Sequence, residues 1–131
     1  MKKKRPMRAR RGVVGRYALG DMMVQLRLQN SWRGGSFHKL SVPSEIAVGC
    51  KEEPWPMVVA ILTHEVMEFA LDRLDARCVP SPDYARASDG YLFHYDHRIH
   101  GEACAQAGLF LAAALPALAT AYKRLAKARK T

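Results

Sequence analysis

Five consecutive residues, His64-Glu65-Val66-Met67-Glu68, carry the clearest chemistry this chain offers. On a helix, positions four apart stand one turn above each other on the same face. The His64 imidazole and the Glu68 carboxylate can therefore reach one small cation. A third ligand has to come from elsewhere. His97 is the first choice, because it follows Asp96, a residue type that caps helices, and a ligand just inside a cap has a fixed direction. Two imidazoles and a carboxylate are a ligand set of catalytic zinc (Zn2+), which keeps a fourth position for water or substrate and lowers the pKa of that water toward neutrality. Glu65, offset around the helix from His64, reads as the general base that takes the proton from the water and returns it to a leaving amine. His94 and His100 compete with His97 for the third position. In the plain structural alternative, Glu65 and Glu68 belong to a solvated helix face, with Glu68 paired to Arg73 or another base and His64 simply hydrogen-bonded. His38 reads as an ordinary strand histidine.

These residues need elements to position them. From Asp21 to Gln29, apolar Val24, Leu26 and Leu28 alternate with Gln25, Arg27 and Gln29, the period of a half-buried strand. Asn30, Ser31, Gly34 and Gly35 predict a turn-rich connection, with short strands over Phe37–Val42 and Glu45–Gly49 separated by Pro43. Pro54 precedes a stretch free of Gly and Pro from Met57 to Val79, which predicts a helix covering the core with Val58, Ile61, Leu62, Phe69 and Leu74. Tyr91–Tyr95 reads as a brief extended segment. Asp96 then caps a helix running from His97 toward Lys127, which Pro116 is expected to kink or divide. The sum is an α+β domain: a short β-meander, an active-site helix and a long C-terminal helix.

The stretches Glu45-Ile46-Ala47-Val48-Gly49 and Ile61-Leu62-Thr63-His64-Glu65-Val66-Met67-Glu68 resemble the edge strand and active-site helix of minimal zincin metallopeptidases. The closest likeness is to short phage or prophage proteins with a His-Glu-x-x-Glu motif and a later His. The resemblance spans Met22 to Leu111. It implies a cleft beside the zinc helix in which the Glu45–Gly49 strand pairs with an extended peptide or protein substrate. It also implies His64, Glu68 and His97 as ligands and Glu65 as base. Glu68 stands where most zincins have a second histidine.

The +9 net charge of the 131 residues is unevenly placed. Seven basic residues crowd residues 1–11 and five crowd residues 123–131, with no acid in either. Between Gly12 and Tyr122, nine basic face twelve acidic residues, a net −3. The expected organisation is a basic flexible arm (1–11), the zincin-like domain (12–122) and a basic tail (123–131). Such ends suit a polyanion, so a non-catalytic nucleic-acid-binding accessory is the rival to a metallopeptidase. Cys50, Cys78 and Cys104, an odd number without metal-ligand spacing, suit reduced thiols in the cytoplasm. Basic residues interrupt the region where a secretory signal would lie. Ala103–Ala121 is apolar for nineteen positions, but its alanine content and Pro116 favour a central buried helix over a membrane span.

Overall fold

A computed structural model describes residues 11–78, 92–93 and 96–129. Four strands, β1 (Val13–Leu19), β2 (Met22–Gln29), β3 (Arg33–His38) and β4 (Glu45–Cys50), form one sheet. Helix α1 (Trp55–Arg73) follows, then a two-residue ribbon of β5 (Arg77–Cys78) with β6 (Leu92–Phe93), and finally α2 (His97–Arg129). Among the described residues this is the expected α+β arrangement, a β-rich first half followed by two helices. The basic arm expected over residues 1–11 lies outside the described residues except for Arg11, and residues 123–129 continue α2.

The sheet order is β1-β2-β4-β3, which departs from a sequential meander. β2 and β4 are parallel neighbours, while β3 crosses outside and runs antiparallel to β4. β4 is therefore paired on both sides, and the expected edge strand over Glu45–Gly49 is corrected: the edges are β1 and β3. The strand anticipated at Phe37–Val42 starts earlier, because Gly34 and Gly35 lie within β3. β1 had no counterpart in the sequence reading.

Alternation explains the packing. Leu26 stands beside Ile46, and Leu28 beside Val48, with Phe37 and Gly35 completing these rows across β4. The rows face the helices, where Val58, Leu62, Val66 and Phe69 of α1 are fully buried. Phe37 stacks on Phe69 with ring centroids 4.8 Å apart, and Tyr17 meets Phe110 edge-on at 5.7 Å. On the opposite face, Gln25 and Arg27 both hydrogen-bond to the Glu45 carboxylate, which satisfies polar groups that the sheet removes from water.

Helix α1 starts after Pro54 with Pro56 in its first turn, where a missing amide hydrogen costs nothing. It ends in a Schellman turn. Asp75 takes φ 57°, and the amides of Asp75 and Ala76 donate to the carbonyls of Asp72 and Leu71. At α2, the Ile99 amide donates to Asp96 Oδ1 at 2.9 Å, the anticipated cap. This bond holds the Asp96 carboxyl below its usual range. Pro116 leaves α2 undivided; Pro116 and Ala112, whose carbonyl loses its partner, both face solvent.

The expectation of a central, buried α2 needs correction. Ala103, Ala107, Phe110, Ala114 and Leu118 form a buried stripe, but only 28% of the most apolar stretch is buried. Leu109 is 75% exposed. By length and composition α2 could cross a membrane; in this fold one face is committed to the sheet and to α1, so it lies at the flank of the domain.

Candidate metal centre

The third and fourth turns of α1 carry the cluster, and the backbone of β3 defines its floor. His64 Nε2 lies 2.9 Å from Glu68 Oε2 and 3.9 Å from Glu65 Oε1. One ligand atom from each residue falls within 4.8 Å of the other two. Donors on a tetrahedral zinc at about 2.0–2.2 Å are about 3.4 Å apart. The observed separations bracket that value, so an imidazole and two carboxylates fit one ion with small side-chain adjustments.

This grouping differs from the expected one in two respects. Glu65, anticipated as a base beside the ion, joins the cluster itself: its Oε1 is 3.9 Å from His64 Nε2 and its side chain lies against Gly35 of β3. His97, the anticipated third ligand, is exposed at the start of α2 and is not part of the cluster. The ribbon does bring the chain back toward the site: Phe93 pairs with Arg77, whose guanidinium binds Glu68. His94 lies outside the described residues. His100 sits on the exposed side of α2, 3.6 Å from Cys104 Sγ.

Glu68 has a basic partner, as the structural alternative requires, but the partner is Arg77. Arg77 Nε donates to Glu68 Oε1 at 3.0 Å and leaves Oε2 to face His64. The guanidinium lies over the Phe37 ring at 4.9 Å and within 3.7 Å of Asp72, which also pairs with Lys39 at 2.9 Å. Arg73 instead binds the Leu19 carbonyl and the Asp21 carboxylate. Fixing one carboxylate oxygen in this way would orient the other toward an ion held beside His64.

Glu65 is buried and accepts its position from a missing side chain. A Cβ on Gly35 would stand 2.6 Å from Glu65 Cγ and 2.9 Å from both Glu65 Oε1 and Ile61 Cγ2. Burial pushes the Glu65 carboxyl up, opposed by His64, while Glu68 adds to the rise and Arg77 and His38 lower it. A carboxyl raised in this direction is a better proton acceptor near neutral pH than an exposed one. Gly35→Ala is expected to displace Glu65 and to cost about 1–3 kcal/mol in stability from overpacking, which urea denaturation measures.

A cleft of about 600 Å³ opens beside the cluster, lined by Glu65, Glu68 and Arg77 on one side and by Gly35 through Ser41 on the other. His38, expected as an ordinary strand histidine, and Arg77, which the sequence did not single out, also line this cleft. His38 ends β3 at the cleft, with Nε2 3.3 Å from Ser36 Oγ. Neither has a local motif; only the crossover of β3 and the β5–β6 ribbon bring them to α1. The chain matches no protein-family model, no curated protein and no solved structure.

Proposed function

We propose that the protein is a small zincin-like, zinc-dependent metallopeptidase, a hydrolase of peptide bonds. The observation that carries this reading is the convergence of His64, Glu65 and Glu68 at the mouth of a cleft bordered by a strand edge. Among the described residues no strand pairs with the outer edge of β3, so an extended peptide can add there by backbone hydrogen bonds. The peptide's place is thus Arg33–His38 instead of the Glu45–Gly49 strand. His64 and Glu68 hold the metal, while His97, the expected third ligand, lies outside the cluster at the start of α2. Bound zinc supplies Lewis acidity, polarising the scissile carbonyl and lowering the pKa of water toward neutrality. Glu65 accepts the water proton at its carboxylate and delivers it to the leaving amine nitrogen. Arg77 keeps Glu68 oriented throughout.

Protein purified without chelators is expected to contain about one zinc per chain and to lose thermal stability when the metal is stripped, because the ion binds only the folded site. Elemental analysis and melting curves test this; metal-free protein with an unchanged melting temperature sinks it.

A second reading, the nucleic-acid accessory, is favoured by one feature. Arg11, where the basic arm meets β1, and Arg124 on the last turns of α2 line adjoining hollows that share Gly12, Leu28 and Leu125. Arg11 and Arg124 therefore sit at one corner of the domain. Binding carried by that corner falls steeply with salt, whereas peptide hydrolysis survives deletion of both ends.

A further inference from the structure

The exposed face of α2 is the largest feature that the proposed site leaves unused. It begins at Glu102, continues through Ala105, Leu109, Ala112, Pro116 and Thr120, and finishes at Lys123, every one exposed. The steps of three and four residues keep this stripe on one side of the helix for about 32 Å. Its middle is apolar and, apart from Leu109, built of small residues. One end is acidic and the other basic.

We propose that α2 pairs through this face with α2 of a second copy of the chain, antiparallel about a twofold axis between residues 112 and 113. Such an axis is self-complementary. It sets Glu102 opposite the partner's Lys123 twice, Leu109 opposite the partner's Pro116, Ala105 opposite the partner's Thr120, and Ala112 against the partner's Ala113. The small side chains allow the helix axes to approach to about 8 Å. Arg98 and Lys127, the next exposed residues outward, lie about 22 Å from the axis, where a crossing of about 20° has carried the helices apart. A parallel pairing would instead stack Glu102 on Glu102 and Lys123 on Lys123.

The apolar length of α2 also suits a lipid bilayer, but the details favour a protein partner. The opposite face is fixed on the domain by Phe110 and Leu118, both fully buried, and by the Tyr122 hydroxyl, which donates to the Glu53 carbonyl at 2.7 Å. Lipid cannot surround a helix held in this way. Interfacial insertion draws on bulky side chains, and Leu109 is the single one in the middle of the stripe.

Sedimentation equilibrium of the full chain is expected to give twice the 14.7 kDa of one chain. Leu109→Glu, at an exposed position that leaves the circular dichroism spectrum unchanged, is expected to give a monomer. Glu102→Lys is expected to raise the dimer dissociation constant about tenfold, and adding Lys123→Glu to restore it. A wild type that stays monomeric to about 0.1 mM overturns the proposal. So does a charge exchange that fails to restore pairing, or a monomer that floats with vesicles of phosphatidylcholine and phosphatidylglycerol.

Discussion

Glu65→Gln is expected to retain its zinc and to lose peptide hydrolysis by about 10²- to 10⁴-fold, the contribution of a positioned general base. Gln has nearly the same shape and fits above Gly35, so His64 and Glu68 keep their places. What disappears is the ability to accept and return a proton. Elemental analysis beside a fluorogenic peptide assay separates the two effects; a Gln variant that cleaves at the wild-type rate removes Glu65 from the chemistry. The same substitution has a second signature in the metal-free protein. Burial raises the folded-state pKa of Glu65, so ionisation costs the folded state more than the unfolded one. The metal-free wild type is therefore favoured below the ordinary carboxylate pKa. It loses that advantage as pH rises from the ordinary value to the raised one. Gln cannot ionise, so the stability difference between variant and wild type should grow in the variant's favour across that interval. Urea denaturation of both proteins from about pH 4 to pH 8 measures it, and a constant difference counts against the raised carboxyl.

Glu68→Ala is expected to have the largest combined effect, lowering zinc affinity by about 100-fold or more and costing about 1–3 kcal/mol of stability without metal. The first loss follows from removing one of the helical ligands four residues apart. The second follows because Arg77, 16% exposed at its side chain, loses its 3.0 Å carboxylate partner. Glu68→Gln distinguishes the two: its amide oxygen can still accept from Arg77, so stability returns toward wild type, while the missing charge keeps zinc weak. Zinc titration against a competing chelator and urea denaturation read each quantity. A Gln variant with wild-type zinc affinity removes Glu68 from the ligand set.

The sequence revealed the parts of this fold that local patterns encode. Alternation marked β2, and Asp96 marked the start of α2 through its oxygen, which caps the first free amides. The four-residue spacing of His64 and Glu68 anticipated their 2.9 Å approach. Pairing partners were less legible. Gly34 and Gly35 read as turn residues because glycine weakens strands, yet Gly35 is in β3 because a carboxylate occupies the space its side chain would fill. Strand order was hidden for a related reason: Glu45–Cys50 is apolar enough for a central strand, but no local signal says that β3 passes outside it. Arg77 and His38 reach the cleft through contacts between distant segments, and one chain read residue by residue carries no mark of that encounter. The apolar run of α2 suggested burial on all sides, whereas only every third or fourth residue meets the core.

The row running Leu28, Val48, Gly35 diminishes from a large side chain to none at the sheet margin. A larger residue at position 35 would extend the apolar row but overpack against Glu65 and Ile61, so the bare margin and the buried carboxylate depend on each other. A side chain can enter there only when a smaller one replaces its neighbour across the gap, which ties the two positions into a paired change.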